Sequence, residues 1–289
     1  MQHHFFTLES GLRLHYTTFG DPSQQAVFCV HGLTRNARDF DALAQLLSSD
    51  FYVVCLDVVG RGESDWAKGA QDYNVLNYAQ QCTSLLGFLG LTPETKRAPH
   101  WVGTSMGGLI ALTLQHIQAG AFQKLVLNDV GPVIETQALQ RIAQYIGAVP
   151  HFASRALAQD YAQVIFASFG AKTPAQWAAL TDHYYLDNLD GSVRMHYDPQ
   201  IAAATKAAVS SMNTQALMAS ESILWASLKS LHAPCLALRG AQSDLLSAAT
   251  LLAMQAANPR VQALTVPDCG HAPHLLDAFQ TQAVKDFLL

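Results

Sequence analysis

"VGTSMGG", residues 102–108, follows a short apolar run that ends at Trp101 and precedes the apolar helical pattern "LIALTLQHI". A serine set between glycines at such a junction reads as a residue carried on a very sharp strand-to-helix turn. Gly103 and Gly107 stand two positions either side, where no larger side chain fits. On that reading Ser105 is a nucleophile. A glycine-rich turn with an incidental serine is the competing reading, and the rest of the chain decides between them.

The 289 residues exceed a typical single domain, but α/β folds often reach this length as one domain or as one domain with an insertion. Hydrophobic residues make up 50% and aromatics 9%, enough for a large core, whereas charged residues are only 13%, well below the roughly one-quarter usual in soluble proteins. The net charge of −5 comes with scattered Lys and Arg and no basic stripe. Nucleic acid and anionic membranes are therefore not expected as partners. The start, "MQHHFFTLES", lacks the basic-then-apolar order of a signal peptide, and no stretch has the roughly 18 apolar residues of a membrane span, so a cytoplasmic location is expected. Cys29, Cys55 and Cys235 lie in apolar strand-like runs, Cys82 on a helix face and Cys269 in a late loop. With an odd count and no CxxC pair, buried thiols are expected rather than disulfides or a metal site.

Outward from the serine, the chain alternates. "FFTLES" and "LRLHYTTFG" read as a hairpin about Gly11. "AVFCVHG", "YVVCLDVVG", "HWVGTS" and "KLVLNDVG" are continuous apolar runs separated by helical patterns. In one of these Val75, Tyr78, Cys82, Leu85, Leu86 and Leu89 share a face. Such runs are buried on both sides, which predicts a mostly parallel, eight-stranded sheet flanked by helices. The alternation stops from about Val133 to about Ser230, where the pattern is helical with no convincing buried strand, and resumes with "PCLALRG" and "VQALTVPDCGH". The expected organisation is a core of residues 1–132 and 231–289 with a helical cap, 133–230, inserted after the sixth strand.

An acyl-transfer serine needs a base, a group that orients the base, and N–H donors for the oxyanion. In an open α/β sheet these lie beyond the carboxyl ends of the strands. Of the 12 histidines only His271 and His274 follow the last strand. His271 is favoured as base, because His274 comes after Pro273 and suits the opening of the final helix. For the acid, Asp244 in "LRGAQSDLLS" is favoured on chain order. Asp129, at the end of "LVLNDVG", is its rival, and Asp268 suits a turn. The backbone N–H of Met106, at a helix N-terminus, and that of Leu33, in the loop shaped by His31 and Gly32, are the expected oxyanion donors.

"VHGL", "DVVGRGESD", "VGTSMGGLIAL", "LVLNDVGP", "LRGAQSDLL" and "VPDCGHAPHLL" together resemble the α/β-hydrolase superfamily, specifically its bacterial esterase-like members with a cap after the sixth strand. The resemblance spans nearly the whole chain and is least specific in the insertion. It implies Ser105 as nucleophile, Asp244 as acid, His271 as base, and Leu33 and Met106 as backbone donors. Asp57, Gly60, Gly62 and Ser64 are structural on this resemblance. A serine nucleophile argues against the dehalogenase and epoxide-hydrolase branches, and Asn36 leaves open an oxyanion loop of the carbon–carbon hydrolase kind.

The implied activity is hydrolysis of small- to medium-chain uncharged carboxylic esters through an acyl-enzyme, with no metal or organic cofactor and a small-molecule ester as partner. Whether the chain is a monomer or a dimer is open. Alternatives are a lactonase on enol-lactones, a carbon–carbon bond hydrolase, a thioesterase, or a non-catalytic binding protein. Phe152, Phe166, Phe169, Trp177, Tyr184, Tyr185 and Trp225 are expected to build mostly the cap's own core. An inward-facing Arg141, Arg155 or Arg194 would favour a substrate carboxylate.

Overall fold

Val27, Phe28, Cys29 and Val30 are all fully buried, and their alternation assigns them to two different layers. Phe28 and Val30 join one apolar cluster while Val27 and Cys29 join another on the opposite face. A strand apolar at every position is thus the centre of a three-layer molecule. The computed structural model of the chain describes residues 1–133, 135–147, 151–211 and 213–289.

The hairpin of β1 (Gln2–Thr7) and β2 (Arg13–Phe19) leads into β3 (Ala26–Val30), α1 (Asp41–Leu47), β4 (Tyr52–Leu56), α2 (Val75–Phe88), β5 (His100–Thr104), α3 (Met106–Ile117) and β6 (Leu125–Asn128). The insertion follows, with α4 (Thr136–Tyr145), β7 (His151–Phe152), α5 (Arg155–Ile165), α6 (Pro174–Thr181), β8 (Tyr185–Asp187), β9 (Val193–Met195) and α7 (Gln200–Ser211). The chain returns through α8 (Thr214–Lys229), β10 (Cys235–Gly240), α9 (Ala248–Ala257), β11 (Val261–Val266) and α10 (Ala278–Leu288).

The main sheet has 8 strands in the order β1-β2-β4-β3-β5-β6-β10-β11. The pairs β1·β2 and β2·β4 are antiparallel and all others parallel. Helices cover both faces: α2, α3 and α8 on one, α1 and α10 on the other. Trp101 on β5 lies fully buried between Phe28 and Phe122. Truncating it to alanine costs about 3–5 kcal/mol, the usual range for a large aromatic in a core.

One expectation for the insertion is corrected. It contains a small antiparallel sheet, β7-β9-β8, whose strands of 2 or 3 residues are too short to carry a period-two signal. Its last helix, α8, packs on α3 of the core and buries Leu224 and Leu228. Within the insertion Phe152, Tyr184 and Tyr185 are buried and stack on one another or on Tyr161, in the same apolar cluster as Phe28 and Val30 of the sheet and not in a core of their own. All five cysteines are free and buried. Among the described residues no helix is long and apolar enough to cross a membrane, and no cluster of side chains fits a metal ion.

Candidate active site

The turn between β5 and α3 is built by exclusion of side chains. A Cβ on Gly107 would sit 2.0 Å from the carbonyl oxygen of Val30, and one on Gly103 would sit 2.5 Å from the backbone of Gly107. Neither approach tolerates an added atom, so strand and helix can close over each other only with glycine at both places. Between them Ser105 adopts φ 51° and ψ −113°, a sparsely populated backbone region for a residue with a side chain. The turn is tied to β6 by the Ser105 amide, which donates to the carbonyl of Asn128 at 2.9 Å.

From this turn Ser105 Oγ lies 2.9 Å from His271 Nε2. His271 stands in the loop after β11 and is 8% exposed. Its Nδ1 is 2.8 Å from Oδ2 of Asp129. A carboxylate can only accept, so Nδ1 carries the proton and Nε2 is left as an acceptor facing the serine hydroxyl. Asp129, fully buried directly after β6, also accepts from the Gly240 amide on Oδ1 at 2.8 Å and from Ser243 Oγ on Oδ2 at 2.6 Å. Three donors on a buried carboxylate keep it fixed and paired.

The expectation for Asp244 is therefore corrected. It lies beyond β10, but its side chain is 46% exposed and forms a two-pronged ion pair with Arg141 of α4, at 2.6 and 2.9 Å. Partial burial raises its carboxyl, but the hydrogen bond and charge of Arg141, with a smaller contribution from His271, hold it below its usual range. The physical reason is local: Ser243 turns back to Asp129, and the neighbouring Asp244 points outward to the insertion.

Leu33 stands in the loop after β3, and Met106 directly follows Ser105. Gly32 abuts the serine, since a Cβ there would be 3.8 Å from Ser105 Cβ, and Met106 opens α3. This loop is fixed by His31, as expected, and by Arg61, to which the sequence did not point. Buried Arg61 donates through Nε to the carbonyl of Leu33 at 2.9 Å and through Nη1 to Val59 O and Tyr78 Oη. His31 accepts from the Val58 amide on Nε2 and faces Gly32 O through Nδ1. Burial pushes it down to about 4, against smaller opposing effects of Asp57 and the Gly32 hydrogen bond. The structural reading of "DVVGRGESD" agrees: Asp57 accepts from the amides of Ala37 and Glu63, and Ser64 Oγ donates to Asp57 O. Asn36 is likewise engaged, donating to His183 O and accepting from the Arg38 amide.

Two chambers meet at Ser105 and Leu33. The smaller, about 60 Å³, is lined also by Arg35, Phe166, Leu180, His271 and His274. The larger, about 340 Å³, is almost wholly apolar and runs past Met106, Leu109, Val130, Leu139, Ile201 and Leu245. His274 thus belongs to the chamber wall, ahead of α10 rather than in it. Of the three arginines expected in the insertion, Arg141 and Arg155 are paired with Asp244 and Asp187. Arg194 lines a separate cavity with Trp66 and His151. None of the three lines either chamber at Ser105.

Residues 27–283 match the alpha/beta hydrolase family. The chain belongs to that family. It is 39% identical over 281 residues to the 3-hydroxybutyrate-oligomer hydrolase of Cupriavidus necator, a match covering 95% of this chain and 92% of that one. The crystal structure of an alpha/beta hydrolase from Novosphingobium aromaticivorans superposes with a TM-score of 0.86 at 33% identity, over 99% of this chain and 97% of that chain. The 2-(acetamidomethylene)succinate hydrolase of Mesorhizobium japonicum is 26% identical over 83% of this chain and 79% of its own length. This alpha/beta hydrolase is accordingly a hydrolase of the same superfamily, with the eight-stranded, mostly parallel sheet that the motifs imply.

Proposed function

We infer that this alpha/beta hydrolase is a serine carboxylesterase acting on small- to medium-chain esters, among them short oligoesters of hydroxy acids. The observation that carries the reading is the continuous chain of contacts from Ser105 Oγ through His271 to Asp129. It opens on a large apolar chamber, and the similarity to a hydrolase of 3-hydroxybutyrate oligomers over 95% of the chain adds support.

In the proposed cycle His271 Nε2 takes the hydroxyl proton as Ser105 Oγ attacks the ester carbonyl. The N–H groups of Leu33 and Met106 receive the oxyanion, the second favoured by the dipole of α3. The tetrahedral intermediate collapses as His271 returns the proton to the departing alcohol. Water, deprotonated by the same Nε2, then attacks the acyl-enzyme and releases the acid. Asp129 holds the imidazole tautomer and balances its charge in both halves.

The test is hydrolysis of p-nitrophenyl esters from acetate to dodecanoate by the wild type and Ser105→Ala. The expected result is turnover on the shorter chains and its loss by about a thousandfold or more in the variant. Activity that survives the substitution would overturn the assignment of Ser105.

A further inference from the structure

Asn128 ends β6, directly before Asp129, and is fully buried. Its backbone carbonyl accepts the Ser105 amide at 2.9 Å, and its side chain reaches both segments that carry the reacting pair. Nδ2 donates to Oγ1 of Thr104, the residue before the nucleophile, at 3.1 Å, and to the carbonyl of Pro273, two residues beyond the base, at 2.9 Å. A backbone carbonyl can only accept, so the amide nitrogen must face Pro273 and the orientation of the side chain is settled. Oδ1 is left buried with no hydrogen-bond partner among the described residues. An unpaired buried oxygen is costly, and a native structure that retains one calls for an explanation.

The backbone shows how two neighbouring side chains come to hold one loop. Along a strand successive side chains point to opposite faces, so Asn128 and Asp129 would ordinarily diverge. Asp129 instead has φ 57°, in the left-handed region. It leaves the strand so that its carboxylate meets His271 Nδ1 at 2.8 Å, while Asn128 meets Pro273. Consecutive residues thus hold the 271–273 segment at two points, one on the ring and one on the main chain. The contact at Nδ1 alone leaves the ring free to pivot about that bond. The second attachment fixes how far the loop lies from the serine turn.

We propose that Asn128 is a positioning residue for the hydrolysis: its side-chain amide ties the His271 loop to the strand end that carries Ser105, and so sets the 2.9 Å separation of Oγ and Nε2. This rests on the serine-esterase reading above. Asn128 is in the wall of neither chamber, so it acts through the placement of the base and not through contact with the ester. A displacement of about 1 Å at a reacting pair can lower the rate about a hundredfold, and substrate binding in the chambers is left as it was.

The experiment measures the full-length wild type, Asn128→Ala and Thr104→Val on p-nitrophenyl butyrate, and the rate at which phenylmethylsulfonyl fluoride inactivates each. Asn128→Ala should lower kcat about 30- to 100-fold with KM within about threefold of wild type. Inactivation should slow by a comparable factor, because the reagent reports the activation of Ser105 by His271 without the later steps. Thr104→Val releases the strand end of the tie and leaves Asn128 in place. It should lower kcat about three- to tenfold at unchanged KM, and it decides the matter alone if Asn128→Ala does not fold. Wild-type kcat in both variants, or a kcat loss with undiminished reactivity towards the sulfonyl fluoride, would overturn the role of Asn128 and leave the esterase intact. A wild type inert to both the ester and the sulfonyl fluoride would overturn both.

Discussion

Nδ1 of His271 lies 2.8 Å from Oδ2 of Asp129, at the end of β6, while Asp244 beyond β10 faces Arg141. Chain order could not separate the two carboxylates, because both fall between Ser105 and His271. Asp129→Asn should lower kcat on a p-nitrophenyl ester by about 10³–10⁴-fold, through loss of the required tautomer and of charge balance. Asp244→Asn should stay within about tenfold of wild type, since it removes a half-exposed ion pair. The reverse ranking would place the orienting role on Asp244.

The glycines of the turn make a stability prediction. At Gly107 an added methyl group meets Val30 O at 2.0 Å, an atom of the central strand that cannot give way. Gly107→Ala should cost at least about 2 kcal/mol and lower Tm by several degrees in thermal melts. The same substitution at Gly87, where nothing lies within 4 Å of the added atom, should leave Tm unchanged or raised. Equal melting of the two variants would contradict the close-approach reading.

How legible the molecule was in its sequence can be judged at single positions. Val27 to Val30 announced a strand buried on both faces because every side chain is apolar, and the glycines beside Ser105 announced the turn because only their size fits. The expectation for Ser105, His271, Leu33 and Met106 rests on their order along strands that end at one edge, and the structure brings Ser105 and His271 within 2.9 Å. Asp129 and Asp244 do not separate this way. The difference between them is a side-chain direction set by Ser243, Gly240 and Arg141, contacts over separations of about a hundred residues. Arg35 and Arg61 were equally hidden, since an arginine reads as a surface residue until the loop that buries it is in place.

Ser168, in the insertion between α5 and α6, grips the histidine loop. Its Oγ donates to His271 O at 2.8 Å, and its carbonyl accepts from the Gly270 amide at 2.6 Å. Ser168→Ala removes the first of these, worth about 1 kcal/mol. It should lower kcat about three- to tenfold through a looser His271, with little change in Tm. Unaltered kcat would show that the loop holds His271 without help from the insertion.

Acid should destabilise the fold through buried neutral histidines. Burial pushes His31 down to about 4, and burial with the nearby Lys124 charge pushes His100 down to about 4. Between pH 4 and 6.5 the unfolded chain therefore binds more protons than the folded one, so stability rises with pH across this window. The contribution is complete above about 6.5 and is lost as pH falls towards 4, amounting to about 2 kcal/mol per histidine at pH 5. Urea midpoints at pH 7 and 5 measure it, and His100→Leu should flatten the dependence. A slope of the opposite sign would mean that these rings are protonated in the fold.

The division of the site into two chambers predicts how chain length is read. If the acyl half occupies the apolar chamber, a bulky side chain there should penalise long acyl groups and spare short ones. Ala204 on α7 lines that chamber and is only partly buried, so Ala204→Trp can fill space without disturbing the sheet. The expected result is a fall of about tenfold or more in kcat/KM for p-nitrophenyl octanoate, about the loss of 1.4 kcal/mol of binding, with acetate within about twofold of wild type. His271 faces the other chamber, so proton transfer to the leaving group should be untouched, and the change should appear in KM before kcat. A uniform loss on both esters would instead mean that α7 acts through the geometry of Ser105, and the acyl chain would have to be sought on the Arg35 side.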